Sequence, residues 1–176
     1  NFYVNPLVHD AAIVAIAGGS GVTPFMSMIR RAVDYGSHET IFLFYGNRSL
    51  DDVIFHDELT RIARANKNIR YIPVIETPPK GYAGRQGYIS AEAIKAEIGD
   101  ASGKTFFLCG PQAMYDFCLP QIEKLSVPKR KIRREMYGAP LAITGYPGWP
   151  SGVTERTSVS VTVRGTKSFK APATEP

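Results

Sequence analysis

Six consecutive apolar residues, Ala12–Ala17 (AIVAIA), constrain this chain more than any other stretch. The run is rich in Ile and Val and has no polar residue at alternate positions. It therefore reads as a strand covered on both faces, the pattern of a buried parallel sheet. The run stops at Gly18, Gly19, Ser20 and Gly21, and a Pro-led amphipathic segment follows. Pro24 stands where a helix begins and a missing N–H costs nothing. Phe25, Met28, Ile29 and Ala32 then recur at helical spacing, and Gly36 ends the segment.

The same alternation repeats along the chain. Thr40–Tyr45, Asn68–Ile75 and Lys104–Cys109 read as further buried strands, and Lys131–Tyr137 as a fifth. Helices are predicted over Ile54–Ala65, with Phe55, Leu59 and Ile62 on one face, over Ala91–Ile98 behind a Ser90 cap, and over Pro111–Leu125. The segment ETPPKGYAGRQG is too rich in Pro and Gly for regular structure. Strands alternating with helices through short connections predict an α/β fold: a doubly wound five-stranded parallel sheet with helices on both faces. Such sheets bind ligands at the carboxyl ends of their strands, which points to the loops after the first, second and fourth strands.

At 176 residues the chain suits one domain of ordinary size. No apolar run is long enough to span a bilayer, and no signal peptide is visible, so a cytoplasmic setting is expected. Two cysteines, Cys109 and Cys118, cannot hold an iron–sulfur cluster or build a disulfide framework. His9, His38 and His56 lack metal-ligand spacing, and no metal site is expected. The net charge of +5 admits a nucleotide, an acidic protein surface or nucleic acid as partner. The one dense basic run, Pro128–Glu135 (PKRKIRRE), reads as a solvated face or as a docking surface for an acidic partner. Neither a recognised module nor interleaved aromatics accompany it, so nucleic acid is not expected.

After residue 137 the pattern changes. Residues 138–156 carry Gly, Pro, Ser and Thr without periodicity and read as a linker. Thr157–Val163 alternates polar and apolar residues, as a half-exposed strand does, and residues 157–176 read as the first strands of a second, truncated domain. Residues 1–10 (from NFYVNP) look like the end of something earlier, so the chain is expected to be a piece of a longer polypeptide.

Three loops can carry chemistry. Gly18, Gly19 and Gly21 remove side chains where a strand turns into a helix, so backbone N–H groups can face an anion. A tight turn in a folded core is the competing reading. No Gly-Lys-Ser/Thr follows, which excludes a P-loop. Gly19, Gly21 and Pro24 give G-x-G-x-x-P in place of the dinucleotide fingerprint. Asn47, Arg48 and Ser49 end the second strand, where a dinucleotide's adenosine ribose is read. Arg48 with Ser49 suits a 2′-phosphate, whereas Asp51 and Asp52 suit a ribose hydroxyl, and a solvated loop charge is the plainer alternative. Cys109, Gly110 and Pro111 end the fourth strand, where a cysteine can lie against a flat ring or be a buried structural thiol. No neighbouring His supports a thiolate nucleophile.

AGGSGVTPFMSMIR, LFYGNRS, GYIS and FFLCGPQAM, in this order and spacing, resemble the nicotinamide-nucleotide domain of the ferredoxin–NADP reductase superfamily, over about Phe2–Tyr137. RREMY resembles the Glu-x-aromatic ending of that domain, and the Asn-Arg-Ser loop is most similar to reductases that serve oxygenases. The resemblance implies a nucleotide domain at residues 11–137 that binds NAD(P)H, NADP being favoured over NAD. A preceding flavin barrel would hold FAD or FMN and end at residues 1–10. A plant-type [2Fe–2S] ferredoxin domain would begin at residue 157, and a redox partner protein would receive the electrons. It implies that Gly18, Gly19, Gly21, Thr23 and Pro24 hold the pyrophosphate and the nicotinamide side. Asn47, Arg48 and Ser49 would read the adenosine end. Cys109, Gly110, Pro111 and Met114 would flank the nicotinamide, with Cys109, Glu135 and Tyr137 nearest the hydride transfer. The alternative is a non-catalytic nucleotide-binding or electron-delivery module docking through its basic segment.

Overall fold

The computed structural model describes Asp10, residues 12–136, Val153, residues 157–163 and residues 167–172. The chain divides into two units, Asn1–Tyr137 and Gly138–Pro176. Six parallel strands form the first: β1 (Ala12–Gly18), β2 (Thr40–Asn47), β3 (Ile69–Ile75), β4 (Arg85–Gln86), β5 (Lys104–Gly110) and β6 (Ile132–Met136). They lie in the order β4-β3-β2-β1-β5-β6. The chain winds outward from β1 to β4 on one side and resumes at β5 on the other, so it reverses direction between β1 and β5.

The helices are α1 (Thr23–Asp34), α2 (His56–Ala65), α3 (Ala91–Ile98) and α4 (Gln112–Lys124). In β1, Ile13, Ala15 and Ala17 pack with Phe25, Met26 and Ile29 of α1 and Leu59 and Ile62 of α2. Val14 and Ile16 face the opposite way, onto Ile94 of α3 and Tyr115 and Ile122 of α4. None of the five β1 residues is more than 1% exposed, which is why the run has no polar alternation.

The α/β doubly wound architecture is as expected, with six strands instead of five. The extra strand, β4, lies inside the Pro/Gly-rich segment read as irregular. Arg85 and Gln86 pair with Val74 and Ile75, and Gly87 N–H donates to the Ile75 carbonyl at 2.8 Å before turning away at φ +84. Two residues are too few to show periodicity. In α1 the fully buried position is Met26, whereas Met28 packs only partly against the core. Helix α2 starts two residues later than predicted, because Phe55 adopts a left-handed conformation (φ 60, ψ 21) ahead of it. Arg30 lies over the Phe55 ring and makes a two-pronged bridge to Glu58 (2.9 and 2.7 Å), tying α1 to α2. Ser90 caps α3 as predicted, accepting from Ala93 N–H.

The second unit contains an antiparallel hairpin, β7 (Ser158–Val163) with β8 (Lys167–Pro172), Val161 opposite Phe169. Its first strand is the one predicted at 157–163. The exit segment expected at residues 1–10, apart from Asp10, and the linker expected at 138–156, apart from Val153, lie outside the described residues, as does Tyr137. Among the described residues no helix is long and apolar enough to cross a membrane.

Candidate functional site

Strands β1, β2 and β5 run one or two residues past their predicted ends, so Gly18, Asn47 and Gly110 are the last rungs of the sheet. Gly18 and Asn47, with Glu76 just after β3 and Pro111 just after β5, border a cleft of about 610 Å³. Gly18, Gly19, Asn47, Arg48, Pro111 and Met114 line it, joined by Asp52, Glu76, Tyr88 and Phe117. The parallel sheet thus brings three predicted loops to one edge.

The glycines there do different jobs. Gly19 has φ +52, and a side chain on it would meet nothing within 4 Å, so its backbone is free to face a ligand. Gly21 is buried. A Cβ on it would overlap the Cys109 carbonyl oxygen and sit 2.6 Å from the carbonyl carbon and 2.8 Å from the Gly110 nitrogen. Its lack of a side chain lets the loop after β1 lie against the end of β5. The tight packing expected of a turn is seen at Gly21, while Gly19 leaves open backbone at the cleft. Thr23 donates its hydroxyl to the Ser20 carbonyl at 2.8 Å, closing the turn, and Pro24 opens α1.

Sequence reasoning missed Tyr45. By pattern it is one more residue of an apolar strand, yet its buried hydroxyl donates to the Gly19 carbonyl (2.9 Å) and accepts from Ile54 N–H (3.3 Å). It pins the loop after β1 to the loop after β2. A phenol at the end of a buried strand must find a partner, and that was the available signal. Tyr88 and Phe117 were missed as well. They are 59% and 37% exposed, their ring centroids are 5.3 Å apart, and Tyr88 donates its hydroxyl to Glu76 at 2.8 Å.

In the second loop, the Asn47 side-chain nitrogen and oxygen are both buried and make no well-formed hydrogen bond among the described residues, their polar neighbour being the Tyr45 hydroxyl. Arg48 is exposed and forms no ion pair among the described residues, while its backbone carbonyl accepts from Thr77 N–H and hydroxyl, both at 2.8 Å. Ser49 gives both its N–H (3.0 Å) and its hydroxyl (2.9 Å) to the Asp52 carboxylate. Its proton is already committed to an acid, which the sequence pattern does not reveal.

At β5, Cys109 is 0% exposed and belongs to the core beneath α1 and α2, not to the lining of the cleft. Burial, reinforced by the charge of Glu135, pushes its thiol up to about 12, and burial does the same for Cys118. Burial disfavours the thiolate at both positions. Glu135 is the register partner of Cys109 across the β5–β6 ladder. The Tyr115 hydroxyl donates to the Leu108 carbonyl (2.9 Å) and also contacts the Glu135 carbonyl, fastening β6 to β5. In the basic run, Lys131 pairs with Asp10 at 2.9 Å, whereas Lys129, Arg130 and Arg134 are exposed. The Lys129–Lys131 turn precedes β6, at the amino ends of the strands and away from the cleft.

Residues 15–119, from β1 into α4, match the oxidoreductase NAD-binding domain family. The chain is 32% identical over 118 residues to NADH-cytochrome b5 reductase 2 of Gallus gallus, an alignment covering 65% of this chain and 39% of that protein. It is 31% identical over 128 residues to ferredoxin–NADP reductase B of Sorangium cellulosum, covering 69% and 52% respectively. The solved structure of the Amycolatopsis cytochrome P450 reductase superposes with a TM-score of 0.67 at 26% identity, over 77% of this chain and 41% of that one. The chain thus spans about half or less of the length of these relatives. Cleft, strand order and sequence match agree: the chain belongs to the oxidoreductase NAD-binding domain family, the nucleotide-binding part of the ferredoxin reductase-like superfamily.

Proposed function

We propose that the cleft binds a nicotinamide dinucleotide for a flavin-dependent oxidoreductase of which this chain is the nucleotide domain. The observation that carries the reading is Asn47: a buried amide without a well-formed hydrogen bond, at the cleft between the open backbone of Gly19 and the exposed Arg48. Buried polar groups are normally satisfied, and a ribose hydroxyl bound in the cleft would give this amide a partner. Gly18, Gly19 and Gly21, with Thr23 and Pro24, form the turn for the pyrophosphate. Asn47, Arg48 and Ser49 take the adenosine ribose, and the exposed Tyr88–Phe117 pair offers a stacking face for adenine. Gly110, Pro111 and Met114 take the nicotinamide end, with Cys109 supporting that loop from within the core. Glu135 of β6, and Tyr137 two residues after it in the sequence, are proposed to serve the flavin side. When bound, the nucleotide supplies a hydride at nicotinamide C4 and a flavin accepts it. The residues of this chain orient the ring and exclude water, with no acid–base step.

Asp52 and Glu76 place two carboxylates in the cleft with one guanidinium, Arg48. That balance suits a ribose diol better than a 2′-phosphate, so NADH is the better ligand even though Arg48 and Ser49 as a sequence motif favour NADP. Calorimetry on this chain tests both points. NADH binds more tightly than NADPH, and Arg48→Ala weakens NADPH by about tenfold while changing NADH less. Binding of neither nucleotide rejects the reading. An FAD- or FMN-bearing barrel ending at residues 1–10 is proposed to precede the nucleotide domain of residues 11–137. A linker at 138–156 then leads to a [2Fe–2S] ferredoxin domain from residue 157 and onward to a partner such as an oxygenase. The hairpin β7–β8 supports this, as do relatives named as reductases of ferredoxin, cytochrome b5 and cytochrome P450.

A further inference from the structure

Tyr45 ends the run TIFLFY of β2 and is fully buried in the core beneath α1 and α2. A phenylalanine would fill the same volume, so the hydroxyl is the part that packing does not require. Its one proton goes to the Gly19 carbonyl (2.9 Å), and it accepts from Ile54 N–H (3.3 Å), with the Asn47 amide as a further polar neighbour. Donor and acceptor directions are therefore both taken. Burial raises the phenol's pKa above its ordinary value, which keeps the proton on the hydroxyl.

This hydroxyl reaches Gly19 from the side opposite the cleft. Tyr45 belongs to the core that meets α1 and α2. Ile89 and Cys118, which line the cleft, belong to the core that meets α3 and α4. The Gly19–Ser20 peptide is trans and planar, so its C=O and its N–H point in opposite directions. A carbonyl drawn to the α1 and α2 side thus turns the Ser20 N–H to the cleft side. Gly19 lines the cleft and Ser20 is exposed, so a ligand can reach that N–H. Resting on the dinucleotide reading above, we infer that Tyr45 is a positioning residue for the pyrophosphate. By holding the Gly19 carbonyl, its hydroxyl presents the Ser20 N–H to the diphosphate and turns away a carbonyl oxygen that would repel it. Without the hydroxyl nothing fixes which edge of this peptide meets the anion.

The test uses this chain isotopically labelled at nitrogen, with its backbone amide resonances assigned. NADH and adenosine, which carries no phosphate, are titrated separately while those resonances are followed. NADH moves the Ser20 amide proton downfield, as a hydrogen bond to an anion does, and adenosine leaves it in place. Tyr45→Phe weakens NADH by about tenfold, the factor that one hydrogen bond to a charged group carries, and weakens adenosine by less than about twofold. NADH that binds without moving the Ser20 amide proton downfield overturns the inference. So does a Tyr45→Phe chain that binds NADH as the parent does. A variant that loses NADH and adenosine to the same degree also overturns it, since the hydroxyl would then only brace the scaffold. Should the phenylalanine variant fold poorly, the Ser20 amide of the unsubstituted chain decides alone. If NADH does not bind the unsubstituted chain, the dinucleotide reading itself falls, and this role of Tyr45 with it.

Discussion

Gly18 and Gly21 are three positions apart and tolerate a methyl group very differently. At Gly21 the added carbon meets the backbone of Cys109 and Gly110, which cannot move without opening the β1–β5 contact. Gly21→Ala is expected to cost about 2–4 kcal/mol in urea unfolding. At Gly18 it meets the far end of a flexible side chain, and Gly18→Ala should cost about 1 kcal/mol or less by the same measurement. Asn47 separates a structural from a ligand-binding role in another way. Its amide makes no well-formed hydrogen bond beyond its approach to the Tyr45 hydroxyl, so Asn47→Ala should change Tm little while weakening NADH binding by about tenfold. A fall in Tm with unchanged NADH affinity would assign it to the scaffold instead.

At the scale of elements, the approach to β1 is held by a clasp. Asp10 accepts from the Thr105 hydroxyl (2.9 Å) and from Lys131 Nζ (2.9 and 3.0 Å), and its own N–H donates to Thr105. The hydrogen bond from Lys131 is the main cause of a lowered Asp10 pKa, with Thr105 adding to it and burial opposing. The folded pKa lies below the unfolded value of 3.8. The stabilisation is therefore fully present above about that pH and is lost as the pH falls through the folded pKa. Asp10→Asn should lower stability by about 1–2 kcal/mol at neutral pH. It should also show a smaller loss than the parent between neutral pH and about pH 3, measured by urea unfolding. Element positions were largely legible because β1, β2 and β5 each carry an unbroken apolar run and α1 starts at a Pro. The two-residue β4, the Met26-for-Met28 exchange in α1 and the left-handed Phe55 were not, since each is set by packing or pairing and not by a repeat.

For the whole molecule, the chain covers only 39% of the cytochrome b5 reductase relative and 52% of the ferredoxin–NADP reductase relative, and the proposed reaction needs a flavin acceptor. Incubated alone with NADH and ferricyanide, this chain should bind the nucleotide without consuming it, as followed by NADH absorbance. Reduction of ferricyanide without added flavin would contradict the proposed division of labour. The doubly wound plan was readable from local pattern: an apolar strand with no polar alternation must be covered on both faces, and a Gly-to-Pro turn must leave its carboxyl end. Only the tertiary structure decided which glycine faces the cleft and which makes room for β5. It likewise placed the Tyr45 hydroxyl under Gly19, gave the Ser49 proton to Asp52 and laid Met114 across Gly18 and Gly110. Most of these are meetings between residues far apart in the chain, and the Ser49–Asp52 bond turns on which way a hydroxyl points. A periodic pattern records which face a residue takes, but not which atom waits for it there.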